Sequence, residues 1–453
     1  MSKKPHTPAK ASLLIGMLSL AAFAENRFVI RVDGDIQQVA RRHHLQVVRS
    51  LGGSGSGVHV VEAARGADAR QTLSSLALDS TVRSAEPEKP VQLPGISSQK
   101  SVNPAANPQS GPALDGAQSW YYNSFAAAAY INQQAGEVIN LAPAHKLADG
   151  SHAKVAVIDT GIDRLHPVLV PSVVEGYDFV HNTPGGQELV DTNQETTPIL
   201  DQETTPILDQ ETTPILDGGG AVILRQETTP ILDQETTPIL DSTKYPAYGH
   251  GTMVAGLIHL VAPKAKLMPL RAFGANGAAT ISQVVAAIYW SVDHGADVIN
   301  MSFSTSQDSP QLAAALDYAA DKGVVCVAAA GNDGKPVNLW PASHSGVIGV
   351  GSTNNSFIRS LFSNYGDSLV FLAAPGEGNL TVYPGNRYAR VWGTSFSTPL
   401  AAGGAALLAD IYNKLTVNKA EVALRRANFI GQELGAGELD LLQSCAFAME
   451  MKE

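Results

Sequence analysis

Residues 281–301 read ISQVVAAIYWSVDHGADVINM. From Ile281 to His294 the apolar residues fall at helical spacing, and after Gly295 the run Asp297 to Met301 reads as a short buried strand. The same alternation extends outward in both directions. Val155 to Ile158 is a buried-strand run upstream. Downstream, a helix over Gln311 to Lys322 precedes a strand over Val324 to Ala330, and Ser345 to Gly351 and Leu369 to Ala374 continue the series. Strands alternating with helices imply an α/β fold, a parallel sheet covered by helices on both faces. Ligands of such sheets gather at the carboxyl ends of the strands.

Ahead of this region the chain has a different character. Lys3, Lys4 and Lys10 precede an apolar stretch from Ala11 to Ala24 that closes with Ala22-Phe23-Ala24. A basic region, a short apolar core and a small-x-small end mark residues 1–24 as a secretory signal peptide. The stretch is short for a bilayer span, with an uncleaved anchor as the alternative. Residues 25–94 then read as a small α+β unit in the order β-α-β-β-α-β. Its strands are Phe28 to Val32, Val47-Val48, Val58 to Val61, and an extended Val82 to Leu93; its first helix, running to His43, can be capped by Asp35, and its second spans Asp68 to Leu78. Residues 95–116, rich in Pro, Ser, Asn and Gly, read as a linker. Residues 117–453 form the large domain.

The 453 residues carry a formal net charge of −11, which argues against a nucleic-acid binder that works by neutralising phosphates. The acidity is local. Gln-Glu-Thr-Thr-Pro-Ile-Leu-Asp begins at Gln194, Gln202, Gln210, Gln226 and Gln234, with a divergent octet, Gly218 to Arg225, keeping the register. This block, residues 194–241, contributes −9 and leaves −2 for everything else. A proline in every perfect unit rules out a continuous helix, so the block is expected to be a flexible, exposed insert, with a stacked repeat or an acidic binding arm as the sharper alternative. Cys326 and Cys445 form no metal-ligand spacing and could make one bridge at most; Cys326, within an apolar run, is expected to be a packed thiol.

Three segments carry chemistry. Val155-Ala156-Val157-Ile158-Asp159-Thr160-Gly161 puts a carboxylate where a buried strand ends. Gly249-His250-Gly251-Thr252 sets an imidazole among small residues at a helix start. Gly393-Thr394-Ser395-Phe396-Ser397 places a hydroxyl at the N-terminus of a second, small-residue helix, where free N–H groups favour an adjacent anion. Each alone has an ordinary structural use: a loop carboxylate, a core histidine, an N-cap. Together they supply a nucleophile, a base and a group to orient the base, in the chain order Asp, His, Ser.

These blocks resemble the Asp, His and Ser signature segments of the subtilisin-like serine proteases, over roughly residues 120–445. Val327-Ala328-Ala329-Ala330-Gly331-Asn332-Asp333-Gly334 is similar to the family segment that carries the oxyanion-binding Asn. The resemblance implies Ser395 as nucleophile, His250 as general base and then acid, Asp159 as the residue holding the His tautomer, and Asn332 with the Ser395 backbone N–H as oxyanion donors. It also implies substrate contacts at Ser302, Phe303 and Ser304, where an extended peptide would pair, and at Ala329, Ala330 and Gly331 on the opposite wall of the primary pocket. Ser304 stands where the family usually has Gly. The 25–94 unit is similar to a subtilase propeptide, a folding aid and inhibitor, with an unrelated N-terminal module as the alternative.

Asp159 and His250 are 91 residues apart, and 43 without the 48-residue block, close to the family spacing. Loop closure grows only logarithmically with length, so the insert is tolerable. After Gly256 there is no room for the calcium loop of many bacterial members and no run of oxygen ligands. No cofactor is therefore expected, though a weak calcium site elsewhere stays open. The reading is a secreted serine endopeptidase, extracellular or periplasmic, made as an autoinhibited precursor. Its partners are protein or peptide substrates and its own propeptide, not nucleic acid, with no membrane span after signal cleavage. The alternative is a catalytically silent binding or scaffold protein that uses the acidic repeats.

Overall fold

The computed structural model describes residues 26–53, 56–93, 117–188, 221–223, 246–412 and 414–452. The signal segment, the linker and all five perfect octapeptides lie outside these residues.

The N-terminal unit contains β1 (Arg27–Val32), α1 (Ile36–Arg42), β2 (Leu45–Leu51), β3 (Val58–Ala63), α2 (Ala69–Ala77) and β4 (Val82–Pro87), with an antiparallel sheet in the order β2-β3-β1-β4. The expected cap is present, Asp35 accepting from the Gln37 N–H, and Asp68 caps the second helix by accepting from the N–H groups of Arg70 and Gln71. Alternation divides β1 between two cores. Phe28, Ile30 and Val32 pack with Val39 and Leu76 under the unit's own helices, whereas Val29 joins the large domain's core from the other face.

The large domain is built on an eight-stranded sheet. Its strands, with the helices between them, are β8 (Lys154–Asp159), β9 (Tyr177–Asp178), β10 (Thr183–Pro184), α3 (His250–Val261), β12 (Lys266–Arg271), α4 (Ile281–Asp293), β14 (Val298–Met301), α5 (Pro310–Asp321), β15 (Val325–Ala329), β16 (Val347–Thr353) and β17 (Leu372–Pro375). The order is β10-β9-β12-β8-β14-β15-β16-β17, parallel except at β10. Along β8, Val155 and Val157 face α3 and the long helix α6 (Thr394–Ile411), while Ala156 and Ile158 face α4 and α5. Burial on both faces is why these strands read as unbroken apolar runs. Cys326 and Cys445 are both buried and unpaired.

Several elements had no counterpart in the sequence analysis, among them two hairpins and a strand from the divergent octet. The short strands β6 (Gln118–Tyr121) and β7 (Ser124–Ala127) form a hairpin. β18 (Glu377–Tyr383) and β19 (Arg387–Trp392) form another that runs directly into α6. Residues of the divergent octet, β11 (Ala221–Ile223), add parallel to β19.

The N-terminal unit lies against α4 and α5. Glu86 accepts from the Ser309 hydroxyl and the Gln311 N–H, and Glu88 accepts from the Ser282 N–H at 2.9 Å, so each carboxylate meets the electropositive end of a helix. Arg49 donates to the Ser282 hydroxyl at 2.9 Å. The chain then extends as β5 (Pro90–Gln92), antiparallel to β13 (Ala278–Thr280). Gln92 also bridges Ser304, and the Leu93 N–H reaches the Gly277 carbonyl at 3.1 Å.

Candidate active site

Asp159, Ser302 to Ser304 and Gly331-Asn332 follow the ends of three adjacent parallel strands, β8, β14 and β15. The Asp159 carbonyl accepts from the backbone N–H groups of Ala272 and Phe273, at 2.9 and 3.1 Å, which fixes the strand end. Its carboxylate is fully buried, and Oδ1 accepts from the Thr160 N–H and from His250 Nδ1, both at 2.8 Å. A carboxylate only accepts, so Nδ1 carries the proton and the Nε2 lone pair is left as the base.

The small residues around His250 are steric requirements. Gly249 has φ 89°, and a Cβ there would sit 2.6 Å from the Tyr383 ring; one on Gly251 would sit 2.1 Å from the Gly161 carbonyl. Only glycine lets α3 begin this close to the loop that follows Asp159. His250 is 3% exposed, with the Phe396 ring 5.3 Å from its own.

Ser395 is the second residue of α6, entered through Gly393 at φ 135°. Its hydroxyl donates to the Ser302 carbonyl at 3.1 Å, and the Ser302 hydroxyl donates back to the Ser395 carbonyl at 2.9 Å. The Asp159–His250 bond is therefore formed, while the Ser395 hydroxyl is turned to Ser302 and not to the imidazole. Asn332 Oδ1 accepts from both the backbone N–H and the hydroxyl of Thr394, each at 2.9 Å. That double acceptance orients the amide and leaves Nδ2 beside Gly393, where it would lie 3.3 Å from a Cβ. The Ser395 N–H is in the first turn of α6 and has no intrahelical acceptor.

The remaining expected contact residues divide by exposure. Ser304 is half-buried and lies beside Gly331, where an added Cβ would be 3.4 Å from its hydroxyl. Ser302, Phe303, Ala329 and Ala330 are fully buried. The Phe303 ring packs 5.1 Å from Phe273 and shares an apolar cluster with Val91 and Leu93 of the N-terminal tail. Among the described residues, no three His, Cys, Asp or Glu side chains are grouped as metal ligands.

Glu188 was not visible in the sequence reading. It is 1% exposed and meets both the Asp159 and the His250 segments, accepting from the hydroxyls of Thr160 and Thr252 and from the N–H groups of Gly249 at 2.6 Å and Thr252 at 3.2 Å. Burial pushes its carboxyl up to about 7, with the Asp159 charge adding to the rise and these donors opposing it. No motif announces it; it ends Gly185-Gly186-Gln187-Glu188 just ahead of the repeats.

A parallel sheet with an Asp–His pair at the strand ends, and a Ser at a facing helix start, defines a class of hydrolase, and comparison with known proteins agrees. The subtilase family profile matches residues 150–440, and the chain belongs to that family of subtilisin-like serine endopeptidases. It is 33% identical to thermitase of Thermoactinomyces vulgaris over 288 residues, covering 61% of this chain and 82% of thermitase. It is 35% identical to a thermophilic serine proteinase of Bacillus sp. (strain AK1) over 260 residues, covering 57% of this chain but only 53% of that protein. In fold it resembles fervidolysin from Fervidobacterium pennivorans, a keratinolytic enzyme related to subtilisin. That match has a TM-score of 0.65 at 23% identity and covers 93% of this chain and 61% of fervidolysin.

Proposed function

We propose that the chain is an exported peptide-bond hydrolase in which Ser395, His250 and Asp159 act as a triad. The observation that carries this reading is the 2.8 Å bond from His250 Nδ1 to the buried Asp159 carboxylate, which leaves Nε2 as the basic nitrogen. In the reaction the Ser395 hydroxyl rotates from the Ser302 carbonyl to Nε2 and attacks the scissile carbonyl as its proton passes to His250. Asp159 stabilises the imidazolium. The oxyanion accepts from Asn332 Nδ2 and the Ser395 N–H. His250 then gives the proton to the leaving amine, and the ester formed on Ser395 is hydrolysed by water with His250 again as base. No step uses a cofactor. With only residues 262–265 between α3 and β12, we expect no high-affinity calcium loop there.

A peptide substrate would lie between β13 and Ser302 to Ser304, in the trough that Pro90 to Leu93 occupies. This supports the second part of the reading: the N-terminal unit is a propeptide that holds the cleft closed in the precursor. Residues 1–24 support export, and no helix among the described residues is long and apolar enough to cross a membrane.

The test is steady-state peptide hydrolysis by Ser395→Ala and His250→Ala. Each should lose ~10³-fold or more in kcat, with the residual rate set by binding and the oxyanion donors. Full activity in either variant would end the proposal.

A further inference from the structure

Two separate pieces of backbone must keep a fixed distance for the Asp159–His250 bond to persist: the loop after β8 and the first turn of α3. One side chain joins them. Glu188 Oε1 accepts from the Thr160 hydroxyl, next to Asp159, and from the Gly249 N–H, next to His250. Oε2 accepts from the N–H and hydroxyl of Thr252. The bridge is doubled from below. Thr160 Oγ1 accepts from the Gly251 N–H and Thr252 Oγ1 from the Asp163 N–H, both at 2.9 Å, so each hydroxyl donates to Glu188 and accepts from the opposite segment. Every group that meets the carboxylate is a donor, and all four acceptor positions are used. A neutral amide of the same shape would turn an NH₂ group toward two of those donors.

Glu188 is itself anchored. Its N–H donates to the Ile162 carbonyl at 3.4 Å, and the Ile162 N–H donates to Gly186 at 3.1 Å. The chain leaves this point for the repeat block and returns at Pro246, three residues before Gly249. Glu188 and Gly249, on either side of that block in the sequence, therefore meet at one buried carboxylate.

We propose that Glu188 is a positioning residue for the reaction: its carboxylate clamps the Asp159 loop to the His250 helix. This rests on the triad reading above. The groups that face it are Asp159, Tyr248 and Tyr383, with Asp163 and Arg387 next to Tyr248.

The test uses the full-length enzyme, with competent sites counted by a fluorophosphonate probe so that kcat is per active site. Glu188→Gln is expected to lower kcat ~10-fold or more with KM nearly unchanged, since a small misplacement of reacting groups costs on this order. Glu188→Asp should restore part of the loss. If Glu188→Gln does not accumulate, Thr160→Val decides: it cuts the Asp159 side of the bridge and should lower kcat with KM retained. The inference is overturned if the accumulating variant keeps the wild-type kcat per site, or if its loss falls on KM and not on kcat. A wild-type enzyme that the probe fails to label would instead refute the triad reading.

Discussion

Leu93 offers a quantitative test of the proposal that the N-terminal tail closes the cleft. Its side chain is 1% exposed in the apolar cluster with Phe303, Met301 and Ile281, while its backbone N–H is bonded to Gly277. Leu93→Ala keeps that bond and removes three buried carbons, about 2.4 kcal/mol at roughly 0.8 per methylene. If the tail and a peptide compete for one trough, that loss raises the fraction of precursor with an open cleft by on the order of 50-fold. The assay is the affinity of a fluorescent peptide for the Ser395→Ala precursor, in which no cleavage intervenes. Apparent Kd should tighten on the order of 50-fold in Leu93→Ala, up to the limit set by a fully open cleft. Gln92→Ala should change it little, because the Gln92 side chain is exposed. Equal affinities for Leu93→Ala and its parent would refute the competition.

Two further outcomes follow from buried and inserted parts of the chain. His259, 1% exposed with Nε2 unpartnered, has its pKa lowered to about 4 by burial and by His166. Its folded value lies below the unfolded 6.5, so the neutral ring's contribution is intact above pH 6.5 and is lost as pH falls through 4. Between pH 7.5 and 4.5 this costs about 2–3 kcal/mol; denaturant midpoints should show that His259→Leu loses less stability than its parent by this amount, and equal losses would contradict it. Replacing residues 194–241 by a short linker should leave kcat/KM within about threefold, because loop length changes closure entropy slowly. A collapse in rate would mean that β11, paired to β19, supports the strand leading to Ser395.

Much of this architecture was legible in the sequence, for a physical reason. Strands such as Val325–Ala329 are buried on both faces and read as uninterrupted apolar runs, and the helices between them carry their own stop and start residues. The β-α-β-β-α-β order of residues 27–93 was legible because short apolar strands alternate with helical stretches, the first of them capped by Asp35 as its position suggests. Less legible were elements whose sequence lacks a period. The β18–β19 hairpin has a register shift between Glu377 and Asn379, which breaks its alternation.

At the site, the three chemical blocks were readable because close backbone approach demands glycine at 249 and 251 and leaves a recognisable spelling. Glu188 was not, since its role exists only through four donors from distant positions. Nor could spelling show that the Ser395 hydroxyl rests on Ser302, which depends on a side-chain rotation.

The central claim is that one hydroxyl, at Ser395, is made nucleophilic by His250 at the carboxyl edge of the sheet. Intact-mass and peptide mapping after treatment with a fluorophosphonate tests it most directly. A single phosphonyl adduct is expected on the peptide containing Ser395, absent in Ser395→Ala and strongly slowed in His250→Ala. An adduct on another residue, or labelling of Ser395 at an unchanged rate without His250, would contradict it.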